Sequence, residues 1–136
     1  MADNPLNIFQ VSGRAMSAQL IRMNTTASNL ANAGAISGSA DTAYRTIKPV
    51  FRTQYDNATG LATVNVEQVV TAGEAPTKLY DPSHPMADKD GNVFVSAVDE
   101  TRELVDMMET SRSYQNNVEV MQTAKSLILN TLKMGS

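Results

Sequence analysis

Two long stretches of the chain repeat apolar residues at alternating spacings of three and four, and the segment between them does not. In the first, Phe9, Gly13, Met16, Leu20, Met23, Ala27 and Leu30 fall in this register, which places them along one seam of an α-helix. Asn4 supplies a cap and Pro5 suits the first helical position. Gly34, Ser37, Gly38 and Ser39 break the pattern, so the spacing predicts a helix from Pro5 to between Asn32 and Gly34. In the last stretch Leu104, Met107, Ser111, Tyr114, Val118, Met121, Lys125, Ile128 and Leu132 keep the same spacing, with Ser111 and Lys125 as imperfect positions. Ser96 followed by Asp99 resembles a capping box, and Asp99, Glu100, Glu103 and Asp106 put negative charge where the helix dipole favours it. No Gly or Pro interrupts Ser96 to Met134.

Between these helices the chain turns to β-branched and aromatic residues punctuated by Gly and Pro. Tyr44 to Arg52 and Leu61 to Glu67 alternate as strands do, with Asn57-Ala-Thr-Gly60 as the turn between them, and Asn92 to Val95 follows an Asp90-Gly91 turn. The predicted architecture is α+β: long N- and C-terminal helices forming an antiparallel coiled-coil-like pair, with a small β-rich middle domain. Residues 1–40 form the N-terminal assembly helix and its loop, 41–95 the β-rich middle, and 96–136 the C-terminal assembly helix.

Charge separates these helices from ordinary surface helices. From Pro5 to Ala40 the only charged residues are Arg14 and Arg22, and from Ser113 to Met134 only Glu119, Lys125 and Lys133. A solitary amphipathic helix carries a charged outer face; small uncharged polar residues all round suit a helix touched on several sides. Val11, Ile21, Val105, Met108, Val120, Leu127 and Leu129 fall outside both seams, a surplus that points to burial between chains. The expected assembly contacts are Phe9, Met16, Leu20, Met23, Leu30, Leu104, Met107, Tyr114, Val118, Met121, Ile128 and Leu132. Leu20, Leu30, Val118, Met121 and Ile128 stand foremost among them. A stand-alone coiled-coil adaptor that binds one partner helix is the alternative.

Composition narrows the choice further. With 136 residues the chain is large enough for one modest domain. Trp is absent and Phe and Tyr are few, so Met, Leu, Ile, Val and Ala must fill the interior. A net charge of −3 gives no general pull toward nucleic acid. The absence of Cys excludes disulfides, thiolate metal sites and Cys nucleophiles. No apolar run approaches the roughly 20 residues that span a bilayer, and the start, Met1-Ala-Asp-Asn-Pro5, lacks the basic residues of a secretory signal. His84, the one histidine, sits beside Ser83 in a Pro-rich loop where the two are poorly placed for a triad, and reads as a loop-shaping or interface residue. Asp88-Lys-Asp90-Gly91 fails the spacing of a calcium loop and reads as a tight turn. No enzymatic activity, catalytic residue, cofactor or metal is expected.

The motifs carry a family likeness. Tyr80-Asp-Pro-Ser-His-Pro-Met-Ala-Asp88, Asp90-Gly-Asn-Val93, Glu103-Leu-Val-Asp-Met-Met108 and Ser111-Arg-Ser-Tyr-Gln-Asn-Asn-Val-Glu119 resemble the FlgC family of bacterial flagellar basal-body rod proteins. Ala27-Ser-Asn-Leu-Ala-Asn32 is similar to the signature shared by flagellar axial proteins. The chain departs from the family pattern at Asn32-Ala-Gly-Ala-Ile36, at Gly91-Asn-Val93 and at Ser96-Ala-Val98. The resemblance implies a subunit of the proximal rod, the drive shaft that crosses the periplasm and transmits torque from motor to hook. It also implies export through the flagellar type III apparatus without a cleaved signal peptide. Implied partners are other copies of the chain, the rod proteins FlgB, FlgF and FlgG, and FliE; neither nucleic acid nor direct membrane insertion is implied.

Overall fold

The computed structural model describes residues 5–135. The expected cap at Asn4 lies outside the described residues. Helix α1 spans Pro5–Ala31 and helix α2 spans Glu100–Met134; between them lie strands β1 (Ile36–Ser37), β2 (Ile47–Asp56), β3 (Leu61–Thr71), β4 (Thr77–Tyr80) and β5 (Asn92–Val95). The architecture is α+β, with long terminal helices and a small β-rich middle, as the periodicity predicts.

The helix ends have local causes. Past α1, the Asn32 side chain donates to the Ser28 carbonyl at 2.8 Å, and Gly34 takes a positive φ of 73°, the left-handed conformation that closes helices at low cost. At the start of α2 the cap is Asp99 and not the expected Ser96: its carboxylate accepts the Arg102 N–H at 3.2 Å. Ser96 is drawn into the sheet instead, where its N–H donates to the Ala35 carbonyl at 2.9 Å and continues the β1–β5 ladder. Glu100 and Glu103 in the first turn of α2 and Lys133 in the last complement its dipole.

The chain divides into two compact units. One comprises the described residues up to Met23, Pro49–Gln68 and those from Met108 onward. In it, Arg22 of α1 meets Glu109 of α2 at 3.7 Å, while Ile8 shares an apolar groove with Val120, Ala124 and Leu127. Rising numbers on one helix thus face falling numbers on the other, so the pair is antiparallel. The β2–β3 ribbon belongs largely to this unit; its turn closes with the Gly60 N–H on the Asp56 carbonyl at 2.8 Å. Arg14 of α1 donates to Thr63 Oγ1 of the ribbon at 3.2 Å.

The second unit comprises Asn24–Lys48 and Val69–Met107. Its antiparallel three-stranded sheet has the order β1-β5-β4, with Ile36 opposite Val95 and Lys78 opposite Phe94. Val93, in the central strand, is fully buried. Strand β1 escapes the sequence pattern because two residues are too few to show alternation; β4, as short as β5, escapes it because it lacks the Val-Phe-Val run that marks β5.

The loop from Asp81 to Gly91 is tied to itself. Met86 N–H donates to His84 Nδ1 at 3.1 Å, and Ser83 Oγ donates to Asp81 Oδ1 at 2.7 Å. Asp88 Oδ1 accepts the N–H groups of Asp90 and Asn92 at 2.9 and 2.8 Å. His84 and Asp88 therefore shape a turn. No group of three or more metal-ligating side chains forms among the described residues.

Candidate assembly surface

The buried face of each helix consists of small and polar residues. On α1 it comprises Ser12, Ala18, Thr25, Thr26 and Asn29; on α2 it comprises Glu103, Thr110 and Ala124. Among the described residues only Ala18, Ala43, Val93 and Ala124 are buried apolar side chains, so the large apolar residues other than Val93 are half-buried or exposed.

Along α2 the inward stripe reads Glu103, Met107, Thr110, Tyr114, Asn117, Met121, Ala124 and Ile128, each buried or half-buried. It shares Met107, Tyr114, Met121 and Ile128 with the apolar seam, but every intervening position is shifted by one residue. The imperfect positions Ser111 and Lys125 mark that shift, since Thr110 and Ala124 take the inward places. The shift turns Leu104 and Leu132 outward, at 53% and 66% exposure.

The other expected contact residues divide in the same way. Phe9, Met16, Met23, Leu30, Met107, Tyr114, Val118, Met121 and Ile128 are half-buried, and Leu20 is exposed. Leu6, Ile8, Val105, Met108, Val120, Leu127 and Leu129 join the exposed set. In the first unit the groove lined by Ile8, Val120, Ala124 and Leu127 has a volume of about 410 Å³. Such a concave apolar surface beside a helix pair is the shape that accepts a further helix.

In the second unit Asn29, absent from the expected contacts, is a hub. It is 1% exposed. Its Nδ2 donates to the Ile47 carbonyl at 2.9 Å and to Glu103 Oε2 at 3.0 Å. Its Oδ1 accepts the Ile47 N–H at 3.0 Å and the Tyr44 hydroxyl at 2.8 Å. Both amide protons and both acceptor positions are thereby used. Ser28 Oγ lies 3.0 Å from the same Tyr44 hydroxyl. The Ala27–Asn32 signature thus has physical content: Asn29 grips the backbone of β2, Ser28 supports the tyrosine, and Asn32 ends the helix.

The sequence held a signal for this face. Ser12, Ala15, Gln19, Arg22, Thr26 and Asn29 repeat the three-four spacing one position before the apolar seam, but a search for apolar periodicity passes over them.

The two terminal helices carry the matches that define the class, the flagellar basal-body rod proteins. Residues 9–34 match the family described as flagella basal body rod protein. Residues 89–134 match the family described as flagellar basal body rod FlgEFG protein C-terminal. The chain is 46% identical to the flagellar basal-body rod protein FlgC of Salmonella typhimurium over 132 residues, which cover 96% of this chain and 97% of the relative. It has the same identity and coverage with FlgC of Escherichia coli O157:H7. With FlgC of Yersinia enterocolitica it is 41% identical over 130 residues, 96% of this chain and 97% of the relative. The chain belongs to the FlgC family of flagellar basal-body rod proteins.

Proposed function

We propose that the chain is a structural subunit of the flagellar basal-body rod and is built into it through its terminal helices. The observation that supports this reading is the inversion on the helix pair: small and polar residues face inward, while Leu20, Leu104, Val120, Leu127 and Leu132 face solvent. Burying one such side chain contributes about 1.5–3 kcal/mol, so several on each subunit provide a strong drive to associate. The inward face supplies little of that drive, and the helices order fully only among neighbours.

In this reading Phe9, Met16, Leu20, Met23, Leu30, Leu104, Met107, Tyr114, Val118, Met121, Ile128 and Leu132 are assembly contacts. Residues 1–40 and 96–136 act as assembly segments, and residues 41–95 form the outward middle domain. The half-buried members pack partly against their own subunit and partly against the next. The rod transmits torque because each subunit's helices are gripped on several sides.

The basal-body rod places the chain among other rod components. The finer assignments are neighbours of the same chain, the rod proteins FlgB, FlgF and FlgG, and FliE. The chain reaches its place, the part of the rod that crosses the periplasm, by the flagellar type III apparatus without a cleaved signal peptide. The family likeness supports these assignments. The relatives are named as rod proteins, and the role needs no catalytic group. No described helix is long and apolar enough to cross a membrane.

Replacing Ile128 with Asp puts a charge at a half-buried contact in the last turns of α2. The variant should be exported normally and fail to enter the rod, giving non-motile cells with the chain absent from purified basal bodies. Normal swimming would contradict the proposal.

A further inference from the structure

Arg14 stands apart from the other basic residues of the chain. Of the 11 Lys and Arg side chains, only Arg14 and Arg22 are half-buried, and the rest are exposed. Arg22 faces Glu109 at 3.7 Å. Arg14 meets no carboxylate at ion-pair distance among the described residues. Its Nη1 donates to neutral acceptors, Thr63 Oγ1 at 3.2 Å and Gln54 Oε1 at 3.5 Å, which leaves the Nε and Nη2 protons unspent. Asp56, the acid whose charge it feels, gives Oδ1 to the Ala58 N–H of the β2–β3 turn. Arg14 lines a polar cavity of about 410 Å³ together with Gln10, Gln54, Tyr55 and Asn57.

Glu119 is its counterpart on α2. It is the one acidic residue between Ser113 and Met134, and it is exposed. It makes no ion pair among the described residues and stands at the apolar groove formed with Ile8, Val120 and Leu127. Arg14 and Glu119 belong to the same compact unit and lie at nearly the same level of the helix pair. Arg22 meets Glu109 and Ile8 lies beside Val120 and Leu127, so Arg14, between Ile8 and Arg22, comes within about a turn of the level of Glu119. The two still do not meet, because Arg14 is held by the β2–β3 ribbon and Glu119 belongs to the groove.

A half-buried, unpaired guanidinium restricts what can cover it. Closing a neighbour over Arg14 strips water from its spare protons, and a charge buried without compensation is strongly unfavourable. A carboxylate brought to the same place turns that cost into a charge-assisted hydrogen bond. Both halves of such a contact are present on this chain, on different faces and at matching height. We infer that Arg14 of one subunit receives Glu119 of a second copy standing beside it, so that the apolar groove of that copy closes against α1 of the first. This rests on the reading of the chain as a rod subunit and names one contact through which its copies join. Each subunit gives one carboxylate and receives another, a heterologous contact that repeats from copy to copy. The groove supplies apolar burial, and the ion pair selects the neighbour and its height.

The test uses the full chain in purified basal bodies. Arg14→Lys keeps the positive charge and supplies an amine, which carbodiimide joins directly to a carboxylate in contact with it. Mass spectrometry should find position 14 linked to Glu119 in a product that runs as a dimer of the chain on a denaturing gel, and the dilute free chain should give no such dimer. Glu119→Lys changes an exposed side chain, so helix content by circular dichroism should be unchanged, while its amount in basal bodies should fall at least about tenfold.

The contact is overturned if position 14 links to another acid, to another protein, within its own chain or to nothing. It is equally overturned if Glu119→Lys enters basal bodies normally or loses helix content, or if Arg14→Lys is kept out although its charge is retained. Absence of the unsubstituted chain from basal bodies would overturn the rod assignment and the contact together, which separates that failure from the others.

Discussion

Asn29 shows how one side chain can organise several elements. It ties α1 to β2 through both backbone groups of Ile47 and to α2 through Glu103. Asn29→Ala removes four hydrogen bonds from a buried site and leaves the Ile47 groups unpaired. A loss of about 2–4 kcal/mol is expected, read as a lower midpoint in urea unfolding of the purified chain. Gly73 answers to a steric demand: a Cβ there would lie 2.8 Å from Thr46 Cβ and 3.0 Å from its backbone nitrogen, beside the Ala72 N–H bond to the Thr46 carbonyl at 2.9 Å. Gly73→Ala should cost about 1–3 kcal/mol by forcing these segments apart, with the same unfolding experiment as the check. Neither role could be read from residue type. Asn29 resembles any polar residue of an uncharged helix face, and Gly73 resembles an ordinary loop glycine, until the fold brings Ile47 and Thr46 beside them.

At the scale of elements, legibility followed length. Both helices, the β2–β3 turn at Asn57–Gly60 and strand β5 could be placed from periodicity and turn chemistry, because long repeats and Gly-containing turns leave strong local marks. The inward face of the helices could not. Apolar periodicity points to where hydrophobic burial is available, and in α2 that seam lies beside the face that the subunit buries itself.

The β2–β3 turn adds a pH dependence. The Ala58 N–H donates to Asp56 Oδ1 at 2.9 Å, and this bond, with Thr59 and then Arg14 helping, holds the Asp56 carboxyl below the ordinary aspartate value of 3.8. A depressed carboxyl favours the folded turn above its ordinary value, and that contribution fades as pH falls through the lowered value. The Ala58 amide resonance should therefore titrate with a midpoint below 3.8; Asp56→Asn should abolish the titration, followed by NMR.

For the whole molecule, the decisive quantity is surface. In the unit that holds most of the helix pair, Ile8, Leu20, Val120, Leu127, Leu129 and Leu132 are all exposed. Leu127, 60% exposed beside the groove that contains Ile8 and Val120, samples that surface well. The most direct measurement is maleimide labelling of a Leu127→Cys chain, clean because the native chain has no cysteine. The account predicts ready labelling of the free chain and strong protection in purified basal bodies; equal labelling in both states would contradict it.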